Sequence, residues 1–390
     1  MIKSETVLGQ SFLWLIQNSQ MEPEKETRPV EYPVDVIDDL RGSQTEGVLF
    51  TPGERACTHA CLNNAGDLCF VVSDKDVYGY NIYTNTNFKV YYGHDGAITD
   101  IDIEPENKII ATVGNSMHII FHEIETGTVL LDKVTDKMHA ACCFGPRNMH
   151  YFATVTSKQM KQEIVLTGYH FVEKKDKGTP IDLSNVMFRY KFDCVVNSIR
   201  WPKSDMILAG DVQGKVHVLT GVSNGTPNVQ IIDAHRGPIN AITMSFDNNF
   251  FATASADTTA RLWRIPQTDK EDFQLVGTYT HSFQISCAAI SPKEPHIVLA
   301  STADHSEVAR INSGSTDFTL NFFHTIFQEE FASMKVHKSP INWVGYTSDG
   351  WTLVTTSAEG TCQAIHLGGD YAEAIIDQRK KMKELEAITD

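Results

Sequence analysis

The sequence has no long apolar run. Its best candidate, residues 12–16 (FLWLI), is five residues long, against the ~20 a helix needs to cross a bilayer, so no membrane association is expected. The opening residues also lack a basic stretch followed by a sustained apolar one, and a secretory signal is not expected either. Cys-x-x-Cys pairs are missing. The eight cysteines, at 57, 61, 69, 142, 143, 194, 287 and 362, predict a reduced, cytoplasmic protein whose thiols behave as small core hydrophobes. Positive charge is scarce: 33 Lys and Arg stand against 49 Asp and Glu, a net −16. Such a surface repels phosphate backbones, so any link to RNA is expected through a more basic partner or a local patch. Gly-rich phosphate loops and a Ser-centred nucleophile elbow are absent, and none of the 15 histidines has the spacing of a known active site. Neither catalysis nor a cofactor is expected. Cys57, His59 and Cys61 alternate on one face of a predicted strand, but zinc wants four ligands and no second cluster is visible, so no metal is expected. Cys142 and Cys143 point to opposite faces of a strand and read as packing residues.

What is present is β-structure. A chain of 390 residues with 42% hydrophobic and 9% aromatic side chains suits one large all-β unit with a substantial core. Three regions differ. Residues 1–46 hold four basic residues (Lys3, Lys25, Arg28, Arg41) against nine acidic ones, a balance of −5. Residues 21–33 (MEPEKETRPVEYP) carry three prolines and alternating charge and read as a solvated linker, so this acidic arm is expected to be flexible. Ahead of it Phe12, Leu13, Leu15 and Ile16 suit one short amphipathic turn. Residues 47–368 consist of short runs rich in Val, Ile, Thr and aromatics, punctuated by turns at 63–67 (NNAGD), 114–116 (GNS), 213–214 (QG), 247–249 (DNN) and 348–350 (SDG). That pattern points to an all-β repeat architecture and not to βαβ units. Residues 369–390 switch to helical periodicity, with Tyr371, Ile375, Met382, Leu385 and Ile388 on one stripe, Asp377/Lys381 and Lys380/Glu384 paired four apart, and Asp370 as a cap. A lone helix is marginal, so its stripe must find a surface, on this chain's own β-structure or on a partner.

One unit defines the repeat. Residues 234–240 (AHRGPIN) open it, Phe246-Asp247 precede a hairpin turn, and residues 250–263 (FFATASADTTARLW) close it. Phe251, Thr253 and Ser255 alternate on one face of the second strand, Asp257 sits in the next turn and Trp263 ends the third strand. The spacing resembles the WD repeat, in which a His, Ser, Asp and Trp form a buried hydrogen-bonded chain; His235, Ser255, Asp257 and Trp263 are the matching residues. Weaker copies open at 93–99 (GHDGAIT) and 336–342 (VHKSPIN), and others cover 63–76 and 196–214. Unit starts near 54, 94, 137, 192, 235, 281 and 337 give seven four-stranded blades of the length such rings use. The expected fold is therefore a seven-bladed WD-repeat β-propeller over 47–368, with residues 48–50 completing the last blade.

Beyond the generic repeat, residues 320–331 (LNFFHTIFQEEF), followed by Val336-His337 and Ser339-Pro340-Ile341-Asn342, resemble the sixth-to-seventh blade passage of the subunit i family of eukaryotic translation initiation factor 3. Residues 156–160 (TSKQM), Gly66-Asp67-Leu68 and Lys75-Asp76 agree with the same family. The sequence departs from it at 300–305 (ASTADH), at 356–360 (TSAEG) and in the acidic arm. The resemblance implies a non-catalytic scaffold that docks a C-terminal helix of subunit b and a segment of subunit g. It also implies a place on the small ribosomal subunit during pre-initiation complex assembly and scanning, with mRNA reached only indirectly. The family's partner helix crosses blades 5 and 6. Asp257 matches one acidic position there, whereas Ala241 stands where an acidic residue is usual.

The candidate partner-binding residues are Asp257, Glu329, Glu330, Phe322, Phe323 and Phe327. Each has a structural alternative. Asp257, between Ser255 and Trp263, suits a buried hydrogen bond better than a partner contact, and the phenylalanines suit the core between blades better than an exposed hot spot. Glu329 and Glu330 are adjacent carboxylates and costly to bury. Two other functions compete: a WD-repeat adaptor of a signalling complex, for which the 320–331 passage has no use, and a propeller hydrolase, which requires convergent acid, base or metal groups at the central channel.

Overall fold

In the computed structural model, which describes residues 37, 40, 48–50, 55–147, 149–158, 163–173, 180–268, 271–302 and 318–389, seven antiparallel sheets of four strands follow one another along the chain. Their inner strands are Cys57–Leu62, Ile98–Ile103, His139–Phe144, Val196–Lys203, Ile239–Met244, Gln284–Ile290 and Ile341–Tyr346. Each packs against the next, and the seventh packs against the first. The ring is a seven-bladed β-propeller, as the repeat count requires. Val48–Phe50 pairs antiparallel with Cys362–His366, setting Val48 opposite Ala364, and so supplies the outer strand of blade 7. A single helix, α1 (Gly369–Thr389), follows blade 7.

The second strands are almost wholly buried: Ile109–Gly114, Phe250–Ser255 and Thr352–Ser357 have every residue inside. They lie between neighbouring blades with both faces covered, which is why they read as continuous apolar and threonine runs and not as alternating ones.

A bulge repeats in every blade. The register between inner and second strand slips after the first pair, or after the second in blade 6, leaving Thr58, Thr99, Ala140, Asn197, Asn240, Ser286 and Asn342 as the extra residues. Four of these side chains donate to a carbonyl at the start of the next blade's inner strand. Thr99 bonds His139 at 2.8 Å, Asn197 bonds Ile239 at 2.9 Å, Asn240 bonds Ile285 at 2.8 Å and Asn342 bonds Cys57 at 2.8 Å. The last of these joins residues 285 apart in sequence and locks blade 7 to blade 1. Asn342→Ala strands the Cys57 carbonyl at that seam and is expected to cost about 1–3 kcal/mol, read as a lower urea midpoint; an unchanged midpoint would show that the seam is held by packing alone.

The same bulge undoes the expected alignment of Cys57, His59 and Cys61. Alternation breaks between Cys57 and His59. Cys57 therefore packs with Cys69 and Cys362 against blade 7, whereas Cys61 packs with Phe70 and Ile101 against blade 2.

Within the acidic arm the described residues are Ile37 and Leu40, and both are held by the ring. Ile37 makes a parallel bridge to Ala332 on the outer edge of blade 6, through Ile37 N–H to Phe331 O and Ser333 N–H to Ile37 O, both 2.9 Å. Leu40 is fully buried among blade 6, blade 7 and α1, and its carbonyl accepts from Gly368 N–H at 2.7 Å. The flexible arm expected over residues 1–46 is therefore anchored at these two points, because a sheet edge and an apolar seam lie where the chain enters blade 7. Phe12, Leu13, Leu15, Ile16, Gln159, Met160 and residues 303–305 lie outside the described residues.

Candidate partner-binding surface

In an antiparallel blade the first-to-second and third-to-fourth turns share one face of the ring, here the lower. The second-to-third turns and the connections between blades share the upper.

On the upper face of blade 5, His235 lies at the centre of a buried network. Its Nε2 lies 2.7 Å from Thr253 Oγ1, its Nδ1 lies 3.2 Å from the Asp257 carboxylate, and Trp263 Nε1–H donates to the same Thr253 Oγ1 at 3.2 Å. Thr253 therefore takes the place assigned to Ser255. The Ser255 hydroxyl donates instead to Pro238 O at 2.9 Å and accepts from Asp257 N–H at 3.1 Å, bracing the turn. Both residues face the same side of the strand, and only the turn geometry separates their roles. A signal was present in the repeat: the fourth residue of the second strand is Thr112, Thr154, Thr253 and Thr355 in blades 2, 3, 5 and 7, and each bonds a histidine, namely His94, His139, His235 and His337.

Asp257 accepts from Arg236 N–H, Thr259 N–H and Thr259 Oγ1–H as well as facing His235. Burial alone would raise its pKa, but these hydrogen bonds and the histidine hold it below the usual carboxylate range. Its side chain is 13% exposed. With its lone pairs occupied, Asp257 is a structural residue of the blade and offers a partner little.

The other candidates lie on blade 6. Phe322 and Phe323 are buried, Phe322 against Phe331 and Tyr371, and Phe323 against Tyr279. They fill the core on either side of the blade and cannot touch a partner, a correction that follows from a second-to-outer-strand sheet covered on both faces. Phe327, Glu329 and Glu330 are half-buried on the lower side. Asp257 and Glu329 thus sit at opposite ends of the ring, roughly one six-residue strand or ~20 Å apart, so one short contact cannot span both.

Helix α1 covers this lower side of blade 6. Tyr371 and Ile375 are buried in the core cluster of blades 6 and 7. The Tyr371 hydroxyl donates to His296 Nδ1 at 2.9 Å, and His296 Nε2–H donates to Gln378 Oε1 at 2.6 Å. Arg379 pairs with Glu294 at 2.6 Å, and Lys381 pairs with Glu329 at 2.9 Å while lying 4.5 Å above the Phe327 ring. Phe327 in turn stacks on His324 at 4.2 Å. Glu330 accepts from Asn321 Nδ2 at 2.7 Å. The stripe read from sequence has found its surface on this chain. It holds as far as half-buried Met382; Leu385 is exposed, as is Ile376 on the far side.

The central channel gathers Asp100, Asp102, Arg200 and His59 around cavities of about 570 and 350 Å³. Burial raises the Asp102 pKa to about 6, against the pull of Arg200. The carboxylates serve the ring: Asp100 accepts from Cys142 N–H at 2.9 Å and Asp102 from Phe144 N–H at 2.7 Å, tying blade 2 to blade 3. His59 is 3.8 Å from Asp100.

The WD domain, G-beta repeat model matches residues 85–122 and 227–264. The β-propeller domain of Cps50 (Swd1) from Myceliophteria thermophila superposes with a TM-score of 0.65 over 82% of this chain and 99% of that one, at 13% identity. The chain is a WD-repeat β-propeller. Subunit I of eukaryotic translation initiation factor 3 from Drosophila willistoni is 29% identical over 329 residues, covering 83% of this chain and 98% of that protein. The Drosophila mojavensis protein of the same name is 27% identical over 327 residues, with the same coverage. The chain is thus similar to subunit I of this translation initiation factor along nearly the whole of that subunit. Among the described residues no helix is long and apolar enough to cross a membrane.

Proposed function

We propose that this chain is a non-catalytic scaffold subunit of the cytoplasmic translation initiation factor 3 complex. In this role it holds subunits b and g at the small ribosomal subunit during pre-initiation complex assembly and scanning, with mRNA reached only indirectly. The observation that carries the reading is the match to subunit I over 98% of that protein's length; the 320–331 passage, which a generic adaptor does not need, supports it. The physics agrees with it. A closed ring buries its strand edges and leaves a rim of turns for gripping partners, and a net charge of −16 favours basic protein partners over bare RNA. Phe327, Glu329 and Glu330 remain the candidate contacts, since they line the lower rim of blade 6 beside α1. Purifying the tagged chain from its own cells should recover subunits b and g with small-subunit ribosomal proteins. Recovery of kinases or membrane receptors in their place would favour the signalling adaptor and defeat this reading.

A further inference from the structure

Blade 4 departs from its neighbours at the place where blades 2, 3, 5 and 7 set a histidine against a threonine. The connection into its inner strand, the segment that supplies His235 in blade 5, carries Cys194. The second strand ends in Asp211, and the third strand presents His217. All three side chains converge. Cys194 Sγ–H donates to Asp211 Oδ2 at 3.0 Å, His217 Nε2–H donates to the same oxygen at 2.8 Å, and one potential ligand atom from each lies within 4.8 Å of the others.

The carboxylate is prepared for one direction only. Asp211 Oδ1 is taken by the amides of Gln213 and Lys215, both at 2.8 Å, so Oδ2 alone points at the sulfur and the imidazole. Asp211 is fully buried and the His217 ring is fixed edge-on by Phe192 at 5.1 Å. Cys194 is half-exposed, whereas the other seven cysteines are buried, so the cluster opens to solvent on the sulfur side.

We propose that Cys194, Asp211 and His217 form a binding site for a single borderline-soft divalent cation of the zinc class, with water as the fourth ligand. A thiolate, an imidazole and a monodentate carboxylate are the donors such an ion takes in tetrahedral geometry. Bond lengths of about 2.0–2.3 Å place neighbouring donors roughly 3.3–3.5 Å apart, so the two hydrogen-bonded contacts open by only about 0.5 Å each. The two amides on Oδ1 supply the orientation that ligating carboxylates require. Charge balances as well: the ion displaces the Cys194 proton to solvent, the His217 ring proton passes from Nε2 to Nδ1 so that Nε2 can ligate, and M²⁺ with one thiolate, one carboxylate and a neutral imidazole is neutral, which suits a buried site. In blade 4 the ion does the bridging that the His–Thr bond does in the neighbouring blades.

Cobalt is the probe, because a thiolate ligand gives Co²⁺ an intense charge-transfer band in the near ultraviolet. The full chain, stripped with chelator under reducing conditions, should take up one equivalent of Co²⁺ with that band, and Zn²⁺ should displace it. Cys194→Ser, which keeps a donor to Asp211, should lose the band, and His217→Gln should bind at least about 10-fold more weakly, the loss that even an outer partner of a metal ligand causes. On the unaltered chain, Zn²⁺ should slow alkylation of Cys194, followed by peptide mass analysis, which keeps the test independent of how the variants fold. Absence of the band at excess Co²⁺, its survival in Cys194→Ser, or an alkylation rate indifferent to Zn²⁺ would each overturn the site.

Discussion

Tyr371→Ala is expected to destabilise the propeller by about 3–5 kcal/mol, the usual cost of deleting a buried aromatic ring. At roughly 0.8 kcal/mol per degree for a chain of this length, that is a fall in melting temperature of ~5 °C. Deleting residues 370–390 should lower it further. The reason is that α1 is part of the core. Tyr371 is 1% exposed, and it satisfies His296, which is itself 1% exposed and sits against the Phe331 ring at 4.6 Å. Removing the helix uncovers His296, Phe322 and Phe331 together and returns the Leu40 carbonyl to solvent, since Gly368 leads directly into the helix. Calorimetry on the truncated chain decides the matter. A melting temperature within a degree of the intact protein would mean that the helix is an appendage held out for a partner.

The second large effect is on acid stability. Burial lowers the pKa of His94, His139 and His296 to about 4 and that of His324 to about 3, and in His296 it outweighs the hydrogen bond to Gln378, which pulls the other way. In the unfolded chain each returns to about 6.5. Between these values the unfolded state binds more protons than the folded one, so stability is complete above about pH 6.5 and is lost as pH falls toward 4. From pH 7 to pH 5 each histidine costs about 2 kcal/mol, on the order of 5–10 kcal/mol for the four, which is comparable to the whole stability of a domain. Asp102 works the other way, its pKa raised to about 6 by burial, and offsets part of the loss. The carboxylates with lowered pKa values, Asp211 and Asp257 among them, contribute their losses only below this window. Urea midpoints measured from pH 7 to pH 5 should drop steeply. A flat profile would mean that these rings gain water or partners on protonation.

The blade 5 network shows how finely residue roles divide between what is local and what is not. Thr253 and Ser255 are two apart on one strand and share a face, so strand periodicity treats them alike. The His235 ring meets Thr253 because the connection from blade 4 delivers it there, and Ser255 is diverted to the Pro238 carbonyl by the turn that Asp257 caps. The comparison across blades, in which a threonine recurs at the fourth position of the second strand, carried the answer that a single blade did not.

Determined by the sequence alone were the features that repeat or depend on near neighbours. They are seven units from turn spacing, all-β architecture from short Val-, Ile- and Thr-rich runs, an added outer strand at 48–50, a helix after Gly369 and the resemblance carried by the 320–331 passage. Each rests on periodicity or turn chemistry acting within a few residues. Decided only by the tertiary structure was where those pieces meet. The bulge near the start of the first inner strand turned Cys57 and Cys61 toward different blades. The burial of both faces of blade 6 took Phe322 and Phe323 out of reach, and the meander put Asp257 and Glu329 on opposite faces. The helix spent Tyr371 and Ile375 on its own ring, and Cys194, Asp211 and His217 came together from three separate segments. Contacts between distant segments carry no periodic signature in the chain, because they are set by how whole sheets close on one another and not by the residues' own conformational preferences.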